Sequence, residues 1–511
     1  MPPPPGYLDV AGIDACVSHL VSSFPALVQP VSLPETTREG RPVRAFRLRA
    51  GAGPRNGLLM VGGTHARETI NPDTLVRLAL HLCWAYTGAS GLTYGGKSWS
   101  ATDIRLILDG VDLFVIPQLN PDGRAWVFNP AGDRWWRMNR SDNAGTDCMG
   151  TDLNRNFDFL WKWTIGNTSA DPCDAQGRYR GDAAFSEPET RNVRWLLDAF
   201  PNINAFVDVH SYSELLLYPW GDDDDQTTDP SQNFQNSLYD GQRGYLGTGY
   251  GEYIPRADLD RFVDIGTRVR AAIEAVRGRR YTLQEGTDLY GTSGTSSDYA
   301  YSRYFRRFRG KTKVFAWGFE TNTRLNGMAY GFQPPIGDAL DVMDEVSSGL
   351  IQLALSTVCL VRQVGIDVIG PLGIDGLRLF RDTRMRGTPH GDRWISLLET
   401  HSQEVVQMVM ADRKLRELAE EAIAAASEVV LSSDRDQPTA LDGRAADPMR
   451  RLIRAIAANG SPALVRDAKR LEADLERSIG KTAVRALGRA PRARVEPVAV
   501  RPEVDVAESD E

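Results

Sequence analysis

No run of about eighteen apolar residues occurs anywhere in the chain, so no segment reads as a membrane-spanning helix. The opening, Met1-Pro2-Pro3-Pro4-Pro5-Gly6, lacks a basic cluster followed by an apolar stretch and does not read as a secretory signal peptide. The expectation is a protein that stays in the cytoplasm, or a chain that begins after processing. An excess of positive charge is missing too. Fifty-nine Lys and Arg against 67 Asp and Glu give a net charge of -8, which lends no support to a nucleic-acid partner. Cysteine is scarce: Cys16, Cys83, Cys148, Cys173 and Cys359, with no CxxC and therefore no usual cysteine zinc site. Cys148 and Cys173 flank a loop-like stretch rich in Asp and Gly and could pair. The other three sit in apolar surroundings and read as buried thiols.

What is present is a large apolar fraction, 42% of 511 residues, enough for one long or two ordinary domains. Up to about residue 360, apolar runs at 58–61, 111–116, 205–209 and 313–319 read as strands of a buried sheet. Helical patterns lie between them at 73–86, 187–200 and 259–276. That alternation argues for an α/β fold: a mixed, mostly buried β-sheet with helices on both faces. Beyond residue 360 the aromatics and strand signals thin out. A helical extension is expected over 361–487, and a disordered tail over 488–511, rich in Pro, Arg and Glu. In the extension, Leu415, Leu418, Ala419 and Ala422 form a stripe of helical period, with the pattern from 449 to 479 as its expected partner in a helical hairpin. The sequence shows no internal repeat.

Histidine is rare enough for each of the six to be weighed. His65 follows Val61-Gly62-Gly63-Thr64, a tight turn out of an expected strand, and His210 directly follows the run 205–209. Catalytic residues in open α/β sheets gather at the carboxyl ends of strands. Glu68 lies three residues beyond His65, a spacing that puts both on one face of a helical turn. His65, Glu68 and His210 could therefore grip one ion, and two imidazoles with one carboxylate leave a fourth zinc position open for water. His-x-x-Glu alone is a weak pattern. His81 reads as a packing residue, and His19, His390 and His401 are assigned no role.

Several motifs decide the matter together. Thr64-His65-Ala66-Arg67-Glu68 resembles the first zinc motif of the metallocarboxypeptidases of the carboxypeptidase A and B type, and His210-Ser211-Tyr212-Ser213-Glu214 resembles the segment carrying their third ligand. Asn120-Pro121-Asp122-Gly123, Trp136-Arg137-Met138-Asn139-Arg140, Asp152-Leu153-Asn154-Arg155-Asn156, Tyr290-Gly291-Thr292-Ser293-Gly294 and Phe319-Glu320 match further landmarks in the same order. The resemblance covers roughly residues 7–355. It implies one zinc per chain on His65, Glu68 and His210, the ligand set for which carboxypeptidase A is a known instance. It also implies hydrolysis of the C-terminal peptide bond of peptides or proteins by a zinc-activated water, with Glu320 as general base. Arg140 resembles the arginine that stabilises the oxyanion. Asn154 and Arg155 resemble the pair that binds the substrate's free carboxylate, a task suited to a planar guanidinium. Tyr290 resembles the mobile tyrosine that closes over it. Arg67, Arg137 and Tyr212 resemble secondary subsite residues. Cys148 stands six residues before Asn154, as a disulfide cysteine does in the pancreatic enzymes. A disulfide here would point to export.

The chain also departs from the family. Ser297 stands where the Lys- and Arg-specific enzymes have an acid, and Gly221, Glu285, Thr295 and Gly318 match other pocket positions. A broad or neutral preference is expected, with dual specificity next. The stretch Arg303-Tyr304-Phe305-Arg306-Arg307-Phe308-Arg309 is inserted before Glu320. Two alternatives stand beside the active enzyme: a catalytically inactive peptide-binding relative, and an amidase acting on another amide such as a cell-wall peptide. No nucleic acid and no membrane are expected as partners. Self-association through the C-terminal helices is a further expectation.

Overall fold

The computed structural model describes residues 3, 5–52, 55–143, 145–244, 247–306, 311–323, 327–358, 377, 380–385, 388–432 and 438–487. The expected tail from Gly488, the boundary near residue 360, Cys359 and residues 307–309 of the basic, aromatic stretch lie outside them. The chain divides into two compact units, Met1–Gln363 with Ser402–Val406, and Val364–His401 with Gln407–Glu511.

In the first unit, the sheet is built from β1 (Val28–Val31), β2 (Ala45–Leu48), β3 (Asn56–Gly62), β6 (Val111–Ile116), β7 (Ile203–Ser211), β8 (Leu215–Tyr218), β11 (Thr282–Glu285) and β12 (Phe315–Thr321). Two small pairs lie outside it: β4 (Leu92–Tyr94) with β5 (Lys97–Trp99), and β9 (Gln226–Thr227) with β10 (Glu252–Tyr253). The eight-stranded order is β1-β2-β6-β3-β7-β12-β8-β11. The four strands expected from apolar runs are its middle four, β6, β3, β7 and β12, joined by parallel pairing. Strands buried on both faces carry continuous apolar sequence, which is why these four were readable. The outer strands bring in antiparallel pairs, β1 with β2, β2 with β6, and β12 with β8, which makes the sheet mixed.

Strand alternation sends neighbouring residues to opposite faces. On β7, Asp208 faces helix α7 (Ser296–Ser302), since Ser296 Oγ donates to it at 2.7 Å. Val207 stands in register with Trp317 of β12, whose ring lies 5.2 Å from Phe262 on helix α6 (Arg256–Arg277). Helices therefore cover both faces. The site belongs to the Asp208 side, and the side of α6, α2 (Ile70–Thr87) and α9 (Ile336–Thr357) is apolar packing. In the inserted stretch, Phe305 packs on the rings of Trp220 and Tyr301, and Arg303 donates to the carbonyl of Leu197 at 3.0 Å. The described part is a cover over the core.

The second unit is helical: Pro389–Ala411 apart from Ser402–Val406, then Arg413–Leu431, Gly443–Asn459 and Pro462–Ser478. Ser402–Val406 belong to the first unit, and Val406 is buried in its large core. The periodic stretch ending near Leu431 breaks at Asp412, whose side chain accepts from the N–H groups of Lys414 and Leu415 and starts a new helix. Arg413–Leu431 packs on Gly443–Asn459, which packs on Pro462–Ser478. The expected two-helix hairpin is thus a three-helix arrangement, because Gly460 and the Ser461 cap interrupt the second pattern. No helix among the described residues is long and apolar enough to cross a membrane.

Candidate active site

β3 leaves the sheet through Gly63, at φ +63°, where a Cβ would stand 2.7 Å from the Gln118 amide. An L side chain there would be strained and crowded against that amide, and the turn that glycine permits delivers His65. The N–H of Glu68 then donates to the carbonyl of His65 at 3.2 Å, a turn that brings the Glu68 carboxylate back beside the imidazole. His210 arrives independently near the end of β7. The ligand atoms of His65, Glu68 and His210 all lie within 4.8 Å of one another. His65 Nδ1 is 2.7 Å from Glu68 Oε1 and 3.1 Å from His210 Nδ1, which is 3.2 Å from Glu68 Oε2. All three side chains are buried.

Two nitrogens and a carboxylate oxygen turned towards one point suit zinc, which favours nitrogen and oxygen donors in a tetrahedral set. Each imidazole is also held from behind. His65 Nε2 lies 3.1 Å from Asp152 Oδ1, and His210 Nε2 lies 3.1 Å from Asp208 Oδ2. Arg137 Nε donates to Asp152 Oδ2 at 3.0 Å. Burial alone would push the Glu68 carboxyl up; the adjoining imidazoles hold it well below its usual range. Burial likewise works against a charged Asp152, and Arg137, Arg155 and His65 outweigh it and keep it ionised.

Glu320 stands in register with His210 on the neighbouring strand. Burial, opposed by His210 and reinforced by Glu68, pushes its carboxyl up to about 7. It lines a cavity of about 540 Å³ together with Arg67, Glu68, Arg137, Tyr212 and Tyr290. Glu320 and Tyr290 also line a smaller pocket of about 50 Å³ with Asn154, Arg155, Ser297 and Asp298. Arg155 is 1% exposed. Its Nε donates to the carbonyl of Asn167 at 2.8 Å and its Nη1 to that of Asn154 at 2.7 Å, while Nη2 finds no partner among the described residues. Gly294, at φ +72°, lets the chain pass so close that a Cβ there would be 2.1 Å from the carbonyl oxygen of Arg155. The Tyr290 ring is 38% exposed and 5.8 Å from the Arg155 guanidinium. Asn154 accepts from the N–H of Ser296 at 2.9 Å, which fixes its amide at the pocket wall.

Arg140 requires a correction. Its guanidinium is turned away, stacked over Trp126 at 4.4 Å and Trp136 at 5.0 Å and 3.6 Å from Glu39, and it lines neither cavity. Arg137, expected only as a subsite residue, lines the large cavity beside Glu320 and the base of His65. Glu285 also departs from expectation. Gly221, Thr295 and Gly318 line the small pocket and Glu285 does not, since its carboxyl, pushed up to about 7 by burial and Asp288, is engaged with Tyr218. Arg67 lies over the Phe332 ring at 4.3 Å, and Tyr212 meets the same ring edge-on at 4.8 Å. Asp298 accepts from Thr295 Oγ1 at 2.7 Å and from the N–H of Gly221 at 3.2 Å, and burial pushes it up to about 6. Cys148 and Cys173 are bridged, and Ala175, Gln176 and Arg178 just beyond the bridge form one wall of the large cavity.

Sequence reasoning passed over Asp152 and Asp208. Asp152 stood inside a quoted motif, and Asp208 lies two residues before His210, where strand alternation puts both on one face.

A family model described as zinc carboxypeptidase matches residues 13–346. The chain is 31% identical over 349 residues to carboxypeptidase B of Astacus astacus, covering 67% of this chain and 94% of that one. It is 29% identical over 351 residues to the inactive metallocarboxypeptidase ecm14 of Talaromyces marneffei, covering 65% of this chain and 51% of that one, so it spans about half that relative's length. Among solved structures, thrombin activatable fibrinolysis inhibitor superposes with a TM-score of 0.54 at 22% identity, covering 69% of this chain and 74% of that chain. At that identity the likeness bears on the fold.

Proposed function

We propose that this chain, which belongs to the zinc carboxypeptidase family, removes single residues from the C-terminal end of peptides. The observation that carries the reading is the convergence of His65, Glu68 and His210 beside a small pocket lined by Arg155, whose buried Nη2 is unpartnered among the described residues. A trio of ligands alone would serve many hydrolases. A buried guanidinium with a free donor in the adjoining pocket selects a substrate that ends in a carboxylate.

Bound at His65, Glu68 and His210, zinc would polarise the scissile carbonyl and lower the pKa of water towards about 7. The chain's own groups do the rest. Glu320 accepts the proton of the attacking water on its carboxylate and hands it to the leaving amine, so one group serves as base and then acid. Arg137, kept charged beside Asp152, takes the place first given to Arg140 and faces the developing oxyanion from the cavity wall. Arg155 and Asn154 orient the terminal carboxylate, and Tyr290 at the pocket mouth covers it. Ser297, Thr295 and the glycines leave room for side chains of several kinds. Asp152, held by Arg137, fixes the His65 ring through Nε2.

The bridge between Cys148 and Cys173 supports export, since cytosolic disulfides are rare. The second reading, an inactive peptide-binding relative, is favoured by the 29% identity to inactive ecm14. Incubation with a peptide library, with released residues read by mass spectrometry and zinc counted per chain, decides between them. Single-residue release that stops on chelation supports the enzyme. One bound zinc with no release supports the binding relative.

A further inference from the structure

His210 has two polar neighbours competing for its far nitrogen. Asn154 Nδ2 lies 3.3 Å from Nε2, and Asp208 Oδ2 lies 3.1 Å from it. The two ask for opposite tautomers. The oxygen of the Asn154 amide is already committed to the N–H of Ser296, so its nitrogen can only donate, which would leave Nε2 bare and put the proton on Nδ1. That proton would sit on the atom facing His65 and Glu68 and would block a metal. The Asp208 carboxylate only accepts. It holds the proton on Nε2 and frees the Nδ1 lone pair.

The carboxylate is itself fixed. Thr64 Oγ1 donates to Oδ1 at 2.9 Å and Ser296 Oγ donates to Oδ2 at 2.7 Å, and the residue is 1% exposed. Charge-assisted hydrogen bonds are about twice as strong as neutral ones, so Asp208 prevails over the Asn154 amide. We infer that Asp208 is a positioning residue for the metal site, setting the tautomer and aim of His210 through Nε2 and tying it to Thr64 behind His65 and to Ser296 in the small pocket. The ligand pair is then supported by two carboxylates, Asp152 on His65 and Asp208 on His210. The inference rests on the zinc reading proposed above.

The full chain and its D208A and D208N variants test it. Zinc affinity is measured by competition with a chromophoric chelator, and melting of the metal-free proteins is followed by circular dichroism. D208A should bind zinc about 10–100-fold more weakly, the usual cost of removing a support behind a ligand. D208N should fall between D208A and wild type, because its amide oxygen can still accept from Nε2–H without the charge. If D208A fails to fold, the near-isosteric D208N decides alone. Wild-type zinc affinity in a folded variant, with only a lower metal-free melting temperature, would make Asp208 a fold residue and overturn the inference. A wild-type chain that takes up no zinc would overturn the zinc reading as well, which separates the two failures.

Discussion

Between Tyr7 and Val358 the protein buries Trp220, Trp317 and the side chains of Arg55, Arg124 and Arg155 almost completely. In the second unit the buried cluster is small: Phe380, Met385, Ile395, Val429, Leu441, Ala446, Leu475 and Ala483. Much of what links those helices is ionic and exposed, such as Arg451 with Glu421 at 2.7 Å and Arg454 with Glu472 at 2.6 Å. The first region places charges inside and surrounds each with partners: Arg124 with Asp73 at 2.7 Å, Asp152 with Arg137 and His65. Buried charge is costly unless paired, so a chain that keeps it buried keeps it for chemistry or for a tightly specified shape. Every residue given a chemical role lies before Asn322, and the second region carries amphipathic stripes and surface charge. The residues given chemical roles and the amphipathic stripes thus lie in different stretches of the chain.

Four substitutions sharpen or break that division. The largest effect belongs to Glu320→Gln, which should lower kcat/KM by about 10²–10⁴-fold while zinc stays bound. In the wild type the base must be ionised. Burial pushes Glu320 up to about 7, and a cation held at His65, Glu68 and His210 would draw it lower, so kcat/KM should rise with pH through an acid limb below that value. Activity that stays level across that limb, or a Glu320→Gln protein that keeps most of its turnover, would remove the assigned base.

Leu475→Ala comes next. Leu475 is buried in the small helical core, and truncation there should destabilise that unit by about 2–5 kcal/mol, visible in denaturant unfolding. Hydrolysis by the folded protein should be unchanged. A drop in kcat at temperatures where the protein is fully folded would show that the two regions are not independent in function.

Arg155→Ala should cost about 10–100-fold in kcat/KM for peptides with a free C-terminus, on the scale of a hydrogen bond to a charged group. C-terminally amidated peptides should lose little. Equal loss for both would make Arg155 structural.

Arg454→Ala is the smallest. The pair with Glu472 is exposed, and such pairs are worth about 0–1 kcal/mol, so the melting temperature should scarcely move. A shift as large as that of Leu475→Ala would mean the exposed ionic links carry more of the helical unit than burial does.

The two regions were also legible to different degrees. His65, Glu68, His210 and Glu320 could be read because each sits at the end of an apolar strand or its turn, and strand ends are marked in sequence. The loop from Trp136 to Arg140 was not legible in the same way. Arg137 and Arg140 are three apart in an irregular segment, and no period says which one turns inward. Packing decides it, since Trp126 and Trp136 take Arg140. Glu285 was misplaced because a position at the end of β11 fixes the backbone and not the partner its side chain finds. In the helical unit, periodicity located the elements. The breaks at Asp412 and Gly460 depended on capping, a local choice that a smooth apolar pattern hides.

The bare Nη2 of Arg155 has a consequence for how the protein would behave at work. A donor left unmatched inside a protein costs about 1–3 kcal/mol, and any bound carboxylate relieves it. On the proposed reading, the residue just cut off carries the same carboxylate that brought the substrate in. Free amino acids should therefore compete with peptide for the pocket, and turnover should slow as they accumulate. The shortened peptide, meanwhile, exposes a fresh carboxylate of its own. Digestion should proceed as a ladder of chains each one residue shorter, halting at a side chain the small pocket cannot hold.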